Sequence, residues 1–183
     1  MDTALVDRAK RGDAEAFDAL ARLVGDRCMA IAVRILRDAD LADDAVQTAL
    51  ITAWRELRSL RDASRFEPWL HRILTYECYA EARRRTRRPI DIRVVPDRSD
   101  DARGPLGVDD RDQLERAFRR LTLEQRAVLV FHHYLDLPVV DVADRLGIPV
   151  GTVKSRLHHA TRALRASLEA DARVPSVSEE RPA

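Results

Sequence analysis

Residues 138–165 read PVVDVADRLGIPVGTVKSRLHHATRALR, and the order of residue types in that string points to a chemistry. Val140, Ala143 and Leu146 give one helix an inner face. Gly147 permits the left-handed geometry of a sharp turn, and Ile148 fills the gap behind it. Val153, Leu157, Ala160 and Leu164 then form the inner stripe of a second helix. That leaves Lys154, Ser155, His158, His159, Arg162 and Arg165 facing outward, with Arg156 beside them. An apolar back behind a front of hydrogen-bond donors is what a helix needs to enter the major groove of DNA. The spacing predicts a DNA-binding helix-turn-helix; a plain helical hairpin with a basic surface is the alternative.

Two stretches nearer the N-terminus carry further candidates. The helix expected over 41–57 turns Asp43, Asp44, Gln47 and Thr48 away from its apolar stripe of Val46, Leu50, Ala53, Trp54 and Leu57. Acidic groups near a helix N-terminus suit the helix dipole, so simple capping competes with a protein-docking face. The segment that follows, RSLRDASRFEPWLHRILTYECYAEARRR, interleaves cations with Phe66, Trp69, Tyr76 and Tyr79. Aromatic faces beside guanidinium groups suit single-stranded nucleic acid, although aromatics at helical spacing also build cores. Phe66 and Trp69 read mainly as core, and the polar residues before them as the better base pocket. Five of the six residues from Arg83 to Arg88 are arginine, a run suited to duplex phosphates or to a solvated helix end.

Other chemistries find little support. Adjacent histidines (His132 and His133, His158 and His159) point about 100° apart on a helix, so neither pair shares a face for one metal ion. There is no Gly-rich phosphate loop and no nucleophile paired with a base, so no catalytic residue, metal or cofactor is expected. The two cysteines, Cys28 and Cys78, stand singly, which fits a reducing cytoplasm. No apolar run approaches the ~18 residues of a membrane span, so no membrane insertion is expected.

The elements that must position these residues are helical throughout. The chain has 183 residues, 45% hydrophobic and 34% charged, with 32 basic and 31 acidic side chains. Its near-zero net charge hides alternation: 1–50 is net −3, 51–93 net +5, 94–112 net −3 and 113–170 net +3. Basic modules attract polyanions. Apolar residues step by three or four over 14–36, 41–57 and from Phe66 onward, with Pro68 tolerated in a first turn. Helices are also expected over 112–121, from Thr122 to about 134, over 138–146 and over 151–168. Thr122-Leu123-Glu124-Gln125 matches a capping box. The fold class is all-α: two small helical domains, 1–90 and 112–170, joined by a flexible linker over 91–111 and ending in a disordered tail over 171–183.

With these elements in order, DADLADDAVQTALITAWREL, LRDASRFEPWLHRIL and LTLEQRAVLVFHHYLDLPVVDVADRLGIPVGTVKSRLHHATRALR resemble regions two and four of a bacterial RNA polymerase sigma factor. The compact form lacking regions one and three is the extracytoplasmic-function (ECF) group. The resemblance implies core RNA polymerase (β′ clamp helices and β flap) and promoter DNA as partners, with Asp43, Asp44 and Gln47 docking on the clamp helices. It implies that Arg58, Ser59, Arg61, Asp62, Ser64 and Arg65 hold a base extruded from the minus-ten element. Arg83, Arg84, Arg85, Arg87 and Arg88 would then contact the duplex backbone nearby. Lys154, Ser155, Arg156, His158, His159 and Arg162 would read the minus-thirty-five element. The exposed docking faces also suit an anti-sigma factor. A stand-alone helix-turn-helix regulator is the competing function; such regulators usually carry a sensing domain of alternating strands and helices, and residues 1–90 show no buried-strand runs. Members often carry Arg where His159 stands, and a neutral imidazole grips phosphate or guanine more weakly than guanidinium does.

Overall fold

The structure, a computed structural model, describes residues 2–87 and 108–172, and those residues form helices and turns without a strand. The first four helices are α1 (Thr3–Lys10), α2 (Ala14–Leu36), α3 (Ala39–Glu56) and α4 (Phe66–Arg87). Side-chain caps set their starts. Asp13 accepts from the Ala16 amide at 3.0 Å, and Asp38 accepts from the Leu41 amide at 3.0 Å. The α2–α3 corner is made by Arg37, a non-glycine residue at φ 59° whose amide donates to the Val33 carbonyl at 2.8 Å. Leu20, Ile31, Ile35, Leu70 and Leu74 are fully buried where α2, α3 and α4 meet.

The second four are α5 (Val108–Arg119), α6 (Leu123–Leu129), α7 (Val139–Leu146) and α8 (Val150–Ala172). The expected capping box is present: Thr122 Oγ1 accepts from the Gln125 amide, and Gln125 Oε1 accepts from the Thr122 amide. Two boundaries move. Helix α5 begins at Val108, inside the stretch assigned to the linker, where Asp109 and Asp110 suit a helix N-terminus. Helix α8 runs to Ala172, past the expected end at 168. The rest of the linker, Arg88 and the tail from 173 lie outside the described residues. The helix expected to reach 134 ends at Leu129 and continues as a π turn, Val130–Tyr134, closed by the Leu135 amide on the Val130 carbonyl at 3.1 Å.

The two halves share one apolar core. Val128, Val130, Phe131, Val142 and Val153 of the second half belong to the same buried cluster as the core of α2, α3 and α4. This packing corrects the expected inner face of α7. Val140 is 64% exposed, and Val142 is fully buried beside Ala143, because α7 packs between α8 and α4 rather than against α8 alone. No helix of the described residues is long and apolar enough to cross a membrane.

Candidate nucleic-acid interface

The helix-turn-helix is assembled as its residue types require. Gly147 takes φ 65°, in the region that favours glycine, and the Ile148 amide donates to the Ala143 carbonyl at 3.0 Å. Pro149 then starts α8, its carbonyl accepting from the Thr152 and Val153 amides. Val153 and Ala160 are fully buried, with Leu157 and Leu164 partly so. On the opposite side Lys154, Ser155, His158, His159, Arg162 and Arg165 are exposed. Arg156 differs: it is half-buried, close enough to Tyr79 of α4 for its charge to act on that phenol. Burial is the main cause that pushes the Tyr79 hydroxyl up to about 12.

The candidate minus-ten residues sit on the connection between α3 and α4. Arg58, Ser59, Arg61, Asp62, Ser64 and Arg65 are all exposed, while Leu57 and Leu60 anchor the loop in the core. Asp62 also has a local structural task. Its Oδ1 accepts from the Ser64 hydroxyl at 2.7 Å and the Ser64 amide at 2.9 Å, and those bonds hold its carboxyl below the usual range. Helix α1, which the sequence reading did not identify, packs against this loop. Its signals were present: Asp2 caps it, accepting from the Ala4 amide at 2.9 Å, and Val6 and Ala9 are buried one turn apart.

Further along α4, Arg83, Arg84 and Arg85 are exposed; Arg84 pairs with Glu81 and Arg85 with Asp38, and Arg83 Nε donates to the Tyr79 carbonyl at 3.1 Å. Tyr76, one of the aromatics interleaved with cations, is 65% exposed and lines a surface hollow with Ala80, Arg83 and Arg84. Phe66 is buried, as expected of core, and packs beside the partly buried Trp69.

On α3 the buried side is Ala42, Ala45, Val46, Ala49 and Ala53, leaving Asp43, Asp44 and Gln47 exposed. That face continues through Ile51 (46% exposed) and Trp54 (37%), the latter packed on Phe17 with ring centroids 4.9 Å apart. Trp54, on the apolar stripe expected of this helix, is only partly covered. Small residues fill the α3 seam, so the indole is held at its edge. Exposed apolar side chains beside carboxylates are the composition of a protein-docking face.

No group of three or more His, Cys, Asp or Glu among the described residues could hold a metal ion. His132 uses Nδ1 to donate to the Leu137 carbonyl at 2.7 Å, closing the turn after α6. Cys28 and Cys78 are free and buried, and burial pushes both thiols up to about 12.

Comparison with known proteins agrees with this geometry. The family descriptions Sigma-70 region 2 and Sigma-70, region 4 match residues 19–88 and 111–164. The chain is 33% identical over 181 residues to the RNA polymerase sigma-H factor of Pseudomonas aeruginosa, covering 92% of this chain and 94% of that one. It is 34% identical over 163 residues to the ECF RNA polymerase sigma factor SigM of Mycobacterium tuberculosis, covering 87% and 80%. Among solved structures it is similar to the sigma factor RpoE in complex with the anti-sigma factor NepR from Bartonella quintana, with a TM-score of 0.64 and 26% identity, over 86% of this chain and 99% of that one. Region two precedes region four along the chain, and the chain belongs to the sigma-70 family of RNA polymerase sigma factors, in its extracytoplasmic-function group, whose members direct promoter-specific initiation by the core enzyme.

Proposed function

We propose that the three exposed faces divide promoter recognition. The α3 face of Asp43, Asp44 and Gln47, extended by Ile51 and Trp54, docks on the core polymerase. The loop from Arg58 to Arg65 holds an extruded base of the minus-ten element, with Tyr76 as a stacking surface and Arg83, Arg84 and Arg85 on the adjoining backbone. The outer side of α8 reads the minus-thirty-five element through Lys154, Ser155, His158, His159 and Arg162. The chain itself catalyses no bond change and acts in the cytoplasm with the polymerase. Base stacking at about 1–3 kcal/mol per base helps offset the few kcal/mol of extrusion.

One observation carries this reading: α8 exposes five donors in a row over a back of fully buried Val153 and Ala160. A helix stiffened from behind and polar in front is what groove reading demands. Run-off transcription with core enzyme and a genomic template tests it, and selective transcripts that depend on this chain are the expected result. The double variant Asp43→Arg and Asp44→Arg should lose polymerase co-purification by at least about tenfold, since like-charge juxtaposition costs several kcal/mol. Both side chains are exposed, so its melting temperature should barely move. Undiminished co-purification would remove α3 from the docking face.

His159→Arg adds a permanent cation to the same face. Promoter affinity at neutral pH should rise about fivefold, and the slope of log K against log salt should steepen by about one. Equal affinities and slopes in a salt-controlled titration would show that residue 159 does not face DNA.

A further inference from the structure

Helix α1 packs against both short turns of the loop ahead of α4, Leu57–Ser59 and Ala63–Arg65. Where α1 ends, Gly12 takes φ 95°, and a Cβ built on it would lie 3.4 Å from Arg58 Nη2. The Arg58 guanidinium therefore rests over the turn between α1 and α2, next to where Arg11 stands in the chain. With no side chain on Gly12, another backbone can approach closely here.

The cations around this turn fall into two sets. Arg8 is engaged: its Nε and Nη2 donate to Asp13 Oδ2 at 2.9 and 2.7 Å. Lys10 is partly buried, its Nζ 4.0 Å from Asp7. Arg11, Arg58 and Arg61 are exposed and form no ion pair among the described residues. The acid of the loop, Asp62, turns its Oδ1 to the Ser64 hydroxyl and amide instead. A cation at the end of α1 suits the helix dipole, which accounts for Arg11 alone. It does not account for a second guanidinium laid over the same turn, because like charges with no anion between them repel.

We propose that the turn after α1 clamps the backbone of the melted strand, Arg11 and Arg58 gripping the phosphates that flank the base held by the loop. The proposal rests on the reading of that loop as a base pocket. An extruded base stays tied to its sugar–phosphate chain, so the flanking phosphates pass the rim of the pocket that holds it. On the α1 side that rim is Gly12, with Arg11 and Arg58 beside it. Such contacts fix register and carry no sequence information, so in this division Arg58 serves the backbone and its neighbours read the base.

The test uses the full chain and two fluorescent single-stranded DNAs of about 12 nucleotides, one mixed in sequence and one of thymidine alone, over a range of salt. Arg11→Ala should weaken binding of both about fivefold near 0.1 M salt and make the slope of log K against log salt shallower by about 0.7, the share of one single-strand phosphate. Arg11→Lys, which keeps the charge, should retain the slope. The side chain is exposed, so neither variant should shift the melting temperature. Unchanged affinity and slope in Arg11→Ala, with Arg58→Ala weakened, overturn the clamp and leave the loop reading standing. A loss confined to the mixed sequence also overturns it, since Arg11 would then be reading bases. If Arg11→Ala spares DNA binding and lowers co-purification with polymerase, the turn is a protein contact and the proposal is wrong. If neither Arg58→Ala nor Arg61→Ala weakens binding, the loop reading itself fails, and the clamp falls with it.

Discussion

Phe131→Ala is expected to destabilise the protein by about 3–5 kcal/mol, the usual range for emptying a fully buried phenylalanine site. The ring sits where the halves meet: it belongs to the common apolar cluster and touches His71 of α4 edge-on. Its loss should therefore uncouple the halves as well as weaken them. Trp54 and Trp69, the two tryptophans of the chain, both lie in the first half, so their fluorescence reports that half while far-UV circular dichroism reports all helices. In the wild type the two urea transitions should coincide; in Phe131→Ala the dichroism should fall at lower urea than the fluorescence. Coincident transitions with a loss under about 1 kcal/mol would mean that Phe131 does not hold the halves together.

The second large effect is a pH dependence centred on His71. Its side chain is almost fully buried, and burial, then the nearby Arg145 and Arg27 charges, push it down to about 3. The folded protein therefore keeps this imidazole neutral, whereas the unfolded chain takes up a proton near pH 6.5. Fewer protons are bound in the native state, so stability is complete above about pH 6.5 and declines as pH falls toward 3. The loss is about 1.4 kcal/mol for each unit below pH 6.5. Urea unfolding between pH 7.5 and 5 isolates this group, because Asp13 and Asp62, held low by hydrogen bonds to Ala16 and Ser64, titrate further down. His71→Leu should lose one proton's worth of slope in that window. An unchanged slope would show that His71 is protonated within the fold.

Three-to-four spacing made the helical character legible, together with the capping box at Thr122 and the outward row on α8. These are local properties: a period of 3.6 and a side chain within reach of its own backbone need no partner element. The exposed state of Asp43, Asp44 and Gln47 was legible for the same reason. Where the reading failed, a neighbour distant in sequence decided the outcome. Val140 points outward because α4 competes with α8 for the apolar side of α7. Trp54 sits at an edge because Phe17 of α2 meets it there. Helix α1 is only eight residues long, marginal by itself despite its cap at Asp2, and docking against α2 and the loop before α4 sustains it.

From the sequence alone came the helical class, the family resemblance and the exposed rows of polar side chains proposed to meet partners, since all of these follow from residues near one another in the chain. Only the tertiary structure decided that the modules share a core, that His71 is buried neutral between them, and that Asp144 reaches Arg65. Those contacts join residues 60 to 79 positions apart, His71 with Phe131 and Arg65 with Asp144, and nothing in local propensity or spacing selects one distant pairing over another; burial of complementary surface does.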